Sequence, residues 1–227
     1  MPNLIQFGTL DKNLINNNKM EIQLLVSFLC ASVLLSLMPG PDNIFVLTES
    51  ITKGKNNGIA ISLGMSLGVL VHTTAAATGL SIIIQKSAMA FTVIKFIGAA
   101  YLFYLAFLSF KEKKSELNFM KKENDNEDVS YLIKKGFLMN ALNPKVALFF
   151  IAFLPQFITK TGFNITVQMF ILGIIFALQV FFVFYIISIL SGRLTKYVKN
   201  PKFWNITKWS KGVILSALGM VLLFSRK

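Results

Sequence analysis

Acidic side chains are scarce in this chain. Its 227 residues include ten Asp and Glu against 23 Lys and Arg, and the four charged types together make up 15%, where a soluble domain carries about 25%. There is one cysteine, Cys30, and one histidine, His72. A single cysteine forms no internal disulfide, and within an apolar run it reads as a small packing residue. No His, Cys, Asp and Glu cluster falls at metal-ligand spacing. There is also no GxxxxGK[ST] phosphate loop, so no cofactor is called for. The ten-residue alternating segments of a membrane β-barrel are missing too. Residues 1–20 lack the basic region, apolar core and cleavage site of a signal peptide. They are polar, with Asn at 3, 13, 16, 17 and 18, and read as a disordered leader (1–19) ahead of Met20, a candidate true start.

What fills the chain instead is hydrocarbon. Hydrophobic residues make up 54%, 22 residues are Phe, and mean hydropathy is +0.63. Several apolar runs exceed the ~18 residues that mark a membrane-spanning helix. Six segments can be drawn: 21–37, continuing past a break to about 51; 59–84; 88–110; 136–159; 165–190; and 212–224, with an earlier start near Ile206 as the alternative. Thirteen residues make only ~20 Å of helix against a ~30 Å hydrocarbon core. The last segment therefore needs Lys208, Trp209 and Lys211 as anchors at one end and Arg226 and Lys227 at the other. The fold class is an all-α polytopic membrane protein with six hydrophobic helices, or five if the last does not span.

The net charge of +13 sits in the connections between apolar runs, as membrane topology requires, and nucleic acid is excluded as a partner. Fifteen Lys and Arg fall in the first, third and fifth connections, and six on the opposite side. The positive-inside rule puts the fifteen in the cytoplasm and both termini outside. The charged stretch 111–135 lacks apolar periodicity and reads as a mobile cytoplasmic linker. It divides the chain into two three-helix halves, 20–110 and 136–227. Three is odd, so the halves cross in opposite senses, which is the arrangement of inverted repeats in transporters.

The repeat directs attention to two helix breaks, one in the first helix of each half. The first is Leu37-Met38-Pro39-Gly40-Pro41-Asp42-Asn43; the second is Asn140-Ala141-Leu142-Asn143-Pro144-Lys145. In each, proline interrupts an apolar run and a charged residue follows. Backbone freed by proline has no water to satisfy it in hydrocarbon. Asp42 stands eleven residues before Lys53, and Lys145 ten residues after Lys135. At ~1.5 Å per residue both lie ~15 Å from the basic cytoplasmic ends, near the midplane. An acid and a base at matched depth make either a substrate site or an ion pair locking the halves. The breaks favour a site, because unwound backbone offers free N–H and C=O groups.

Few other ionisable groups lie within the apolar segments. His72 falls on the stripe Ala60, Gly64, Gly68, His72, Ala76, an i, i+4 series whose small residues admit a close helix neighbour. It reads as a core histidine bonded to a carbonyl or, with Asp42, as a proton relay. Lys95 is expected to snorkel near the outer face, and Glu49 to pair with Lys53 at i, i+4. Tyr101, Phe103, Tyr104 and Phe107 read as helix packing. Gln179 is a candidate cavity group.

The first break, Gly58-Ile59-Ala60, the run from Gly64 to His72, and Lys95-Phe96-Ile97-Gly98-Ala99-Ala100-Tyr101-Leu102 resemble the LysE/RhtB family of amino-acid exporters. The sequence GFLMNALNPKVALFFIAFLPQF at 136–157 is the most specific part of the likeness, which covers the chain from about Met20 onward. The resemblance implies a multi-pass carrier in a prokaryotic plasma membrane, without enzymatic activity, exporting amino acids or related solutes on an ion gradient. Its two signature loops map onto Pro39-Gly40-Pro41-Asp42 and Asn143-Pro144-Lys145. The reading joins the two lines. Asp42 holds a substrate ammonium, Lys145 the carboxylate, and Asn43, Asn140 and Asn143 orient it. One acid opposed to one base suits a neutral zwitterion, and protonation of Asp42 would couple export to the proton gradient. The partners expected are a small-molecule amino acid and the lipid bilayer, with a homo-oligomer open. Efflux of an inorganic cation, or a membrane enzyme built on His72 and nearby serines, are the alternatives.

Overall fold

The structure, a computed structural model, describes residues 22–38, 40–111, 127–159, 163–198 and 200–225. The leader with Met20, Pro39, residues 112–126 of the long connection, and the expected anchors Arg226 and Lys227 lie outside the described residues.

The described chain is helical almost throughout, and it is a multi-pass membrane protein. Helix α1 (Ile22–Leu37) and α2 (Pro41–Thr52) meet at 60°. Helix α3 (Lys55–Ala75) runs through a π-helical turn (Ala76–Leu80) into α4 (Ser81–Lys86). Helix α5 (Ala88–Lys111) returns. Helix α6 (Val129–Ala141) is followed by α7 (Pro144–Leu148), a second π-helical turn (Phe149–Phe153) and a 3-10 turn (Leu154–Phe157). That composite is bent by 48° at Asn143. Helices α8 (Ile165–Val198) and α9 (Pro201–Phe224) complete the chain. Among the described residues four helices are long and apolar enough to cross a bilayer, and the number is up to six if each bent pair is one span.

Some expected boundaries move. The last helix starts at Pro201, with Asn200 accepting from the Lys202 N–H at 2.9 Å as its cap. Its 24 residues reach ~36 Å and can span without special anchoring. An apolar count misses this because the first turns carry Lys202, Lys208 and Lys211. Helix α6 likewise begins at Val129, well before the expected Gly136, on an Asp128 cap that accepts from Ser130. Residues 129–135 of the stretch read as linker are therefore helix. The α2–α3 connection turns on Gly54, whose φ of 99° is cheap only for glycine.

Helix α3 lies at the centre, packed on α6 along one side and α8 along another, while α5 pairs with α9 and α2 packs on α8. The α3–α6 approach is made by glycine on both helices. A Cβ at Gly64 would strike the Ile133 carbonyl, and one at Gly136 would strike that of Ile61. Side chains this small let backbones approach, which substitutes for the hydrophobic drive that lipid cannot supply. The stripe Ala60, Gly64, Gly68, His72, Ala76 is buried along its length. Outward faces carry Leu67, Val71, Phe96, Ile174, Phe182 and Val221, all exposed, as contact with lipid requires.

Candidate functional site

The two breaks meet. In the second, Asn143 takes extended backbone (φ −77°, ψ 111°), as a residue before proline must, and Pro144 occupies the first helical position of α7. The Asn143 Oδ1 accepts from the Lys145 N–H at 2.9 Å and caps α7. This fixes the amide's orientation, so its Nδ2 is turned toward Asp42 Oδ2 and donates to it. In the first break, Gly40 caps α2 and Pro41 stands at the first position. Asp42 and Lys145 therefore occupy the same place in their half-helices, one residue past a first-turn proline. The Lys145 Nζ lies 3.9 Å from Asp42 Oδ2. Asp42 is 3% exposed, and its carboxylate sits in the first turn of α2, where the helix dipole favours negative charge.

Backbone freed by the first break is also satisfied from both halves. Asn43 Nδ2 donates to the Ser36 carbonyl at 2.7 Å, and Lys145 Nζ to the Leu35 carbonyl at 3.4 Å. A lysine at the C-terminal end of α1 meets the negative end of that helix. Pro41 and Pro144 are exposed; they shape the backbone and do not line the cavity. Gly40 is buried, and a Cβ there would stand 3.7 Å from Lys145 Nζ.

Beside the ion pair lies a cavity of about 10 Å³ whose polar wall is Ser36, Asp42, Asn140 and Lys145. That is room for about one water. Asn140 is 1% exposed, and its Oδ1 has no hydrogen-bond partner; Asn43 Oδ1 and Gln179 Nε2 are also buried without one. An unpaired buried acceptor costs ~1–3 kcal/mol, and a site for a donor is one reason to keep it. Ser36 Oγ lies 2.9 Å from the Ser32 carbonyl and 3.2 Å from Gln179 Oε1, which ties α1 to α8 next to the cavity.

His72 sits behind this wall. Its Nε2 is 2.9 Å from the Asn140 carbonyl, which also accepts from the Asn143 N–H at 2.9 Å. A carbonyl only accepts, so Nε2 carries the proton. His72 thus closes the end of α6 where the helix breaks, and holds the backbone of a cavity-lining residue. Lys95 reaches the C-terminal end of α9. Its Nζ donates to the Ser225 carbonyl at 2.9 Å and caps α9.

The site is closed on two sides. Toward one end, Phe28, Phe149, Phe153, Phe157 and Phe176 pack ring on ring, with centroids 5.2 Å apart for Phe28–Phe157 and for Phe149–Phe176. Toward the other, Lys53 Nζ lies 3.1 Å from Glu49, as the i, i+4 spacing predicts, and 2.7 Å from Glu127, while Lys135 lies 3.5 Å from Glu49. Burial alone would lower the Lys53 pKa, but Glu127 and Glu49 together outweigh it and hold it above the ordinary lysine value. This cluster joins the end of α2 to α6 across the two halves.

Sequence reasoning did not find Ser36, the α8 residues of the cavity, or the ties to Glu127 and Lys135. Ser36 lies one turn before the first break, a usable signal. The α8 residues carry none, being apolar residues in an apolar helix. Among the described residues no group of three His, Cys, Asp or Glu is placed to hold a metal ion.

A family model for the LysE type translocator matches residues 33–226. An uncharacterized membrane protein of Bacillus subtilis, YrhP, is 32% identical over 203 residues, covering 86% of this chain and 96% of the relative. An uncharacterized membrane protein of Vibrio cholerae is 28% identical over 205 residues, covering 89% and 98%. No solved structure matches.

Proposed function

The chain belongs to the LysE type translocator family, whose members are translocators rather than enzymes, and from that premise we propose that it exports amino acids or close derivatives from the cytoplasm. The observation that carries the substrate class is the opposed pair Asp42 and Lys145, one from each half, at a shared cavity. A zwitterion presents the same two charges in reverse. Its ammonium replaces Lys145 on Asp42 and gains the unpaired Asn140 Oδ1; its carboxylate takes Lys145. Asn143 keeps its Oδ1 on α7 and follows Asp42 with its Nδ2. Binding thus exchanges one ion pair for two, which limits the desolvation penalty that an unpaired charge would meet at this depth.

A cavity of about 10 Å³ does not hold an amino acid, so the breaks must open. They serve as hinges, because proline has already removed the backbone bonds that would resist bending. Both half-helices then rock about the same two positions, in the manner of inverted repeats with both termini outside and the site fixed at the midplane. Opening toward the cytoplasm parts Glu49 from Lys135; opening away from it parts the phenylalanine cluster. Protonation of Asp42 would release Lys145 and tie one direction of the cycle to the proton gradient. The setting is a prokaryotic plasma membrane. Cells expressing the protein should gain resistance to toxic neutral amino-acid analogues and show faster efflux of labelled amino acids from a preloaded pool. Resistance to metal salts with no amino-acid effect would overturn the assignment.

A further inference from the structure

The remaining wall of the cavity differs in kind from the polar one. It is Leu35, Val146, Phe176, Val180 and Phe184, with no charged or hydrogen-bonding side chain among them. Phe176, Val180 and Phe184 are spaced i, i+4, i+8 on α8 and so share one face of it. All three are buried away from lipid, at 1%, 3% and 2% exposure. Every neighbouring α8 position with a large exposed side chain, such as Leu178, Phe182 and Tyr185, points elsewhere. The α8 face thus lines the cavity, with Phe176 at its edge also packed on the ring cluster. Val180 is its smallest side chain, set between two phenylalanines.

We propose that this α8 face is the side-chain pocket of the exporter, that it selects aliphatic neutral amino acids, and that Val180 sets the size limit. The inference rests on the reading of Asp42 and Lys145 as the zwitterion site. With ammonium and carboxylate held on the polar wall, the third substituent of the substrate Cα is left to face the apolar one. A lysine or glutamate side chain there would be buried with no partner and is rejected. A methyl or branched side chain fills the space beside Val180. An aromatic one meets Phe176 and Phe184, which leave it no room.

The test uses the full-length protein reconstituted in proteoliposomes, with efflux of labelled alanine, valine, leucine, phenylalanine, lysine and glutamate read separately. In the unchanged protein, alanine, valine and leucine should leave and lysine and glutamate should not. Val180→Ala should raise the leucine and phenylalanine rates relative to alanine by on the order of tenfold, the scale set by a methylene or two in an apolar pocket. Val180→Ile, which keeps the β-branch and folds with less disturbance, should shift the profile the other way, toward alanine. A lysine- or glutamate-preferring protein, or an unchanged profile in whichever variant transports, overturns the pocket assignment while leaving the zwitterion site standing. A protein that moves none of the six amino acids overturns both.

Discussion

At the scale of single residues, two side chains of the site each hold two things, and a third holds the backbone behind them. Asn143 caps α7 with its oxygen and donates to Asp42 with its nitrogen. Lys145 faces Asp42 and also the Leu35 carbonyl. His72 holds the Asn140 carbonyl from α3, a bond between helices worth on the order of 1 kcal/mol in a membrane. A positioning histidine and a proton-relaying one make different predictions. If His72 works by donating to that carbonyl, His72→Gln keeps a donor and should retain most of the efflux rate, whereas His72→Ala should lower both thermal stability and rate. If the ring must titrate, Gln and Ala should fail alike. Efflux assays on the two variants separate the cases.

At the scale of elements, the governing contact is the glycine-mediated approach of α3 and α6. Gly136 has the Ile61 carbonyl where a Cβ would stand, while Gly192, exposed in α8, has nothing within 4 Å. Gly136→Ala should destabilise the detergent-solubilised protein by about 1–3 kcal/mol, as overpacking does. Gly192→Ala should be neutral or stabilising by about 0.5–1 kcal/mol, since only backbone entropy changes. Melting curves of the two would read this directly. Much at this scale is legible from sequence. The i, i+4 stripe announces a buried face on α3, and proline with a following charge announces both breaks. The starts of α6 and α9 are not legible, because hydropathy cannot see a helix that extends past the hydrocarbon on polar residues such as Lys134 or Lys202. The pairing of Lys135 with Glu49 is invisible for another reason. It depends on which helices become neighbours, and nothing local in either sequence says so.

At the scale of the whole molecule, the proposal is a carrier whose halves close on a shared site, with an ion cluster at one end and phenylalanines at the other. In a Cys30→Ser background, Ser50→Cys should react with an impermeant thiol reagent only from the cytoplasmic side. Its labelling should speed up when Glu49→Gln removes the charge that holds Lys53 and Lys135. Labelling from outside would reverse the orientation. The central claim is that Asp42 and Lys145 bind substrate rather than merely lock the fold. Removing one partner leaves a buried charge unpaired, a cost of about 3–5 kcal/mol whichever role is true. Removing both relieves that cost. The decisive measurement is therefore amino-acid efflux from proteoliposomes holding Asp42→Asn, Lys145→Met or the double variant, with the melting temperature of each. If the pair is the site, the double variant should regain stability and still transport nothing, like the single variants. Transport at the wild-type rate in the stable double variant would show the pair to be structural and contradict the account.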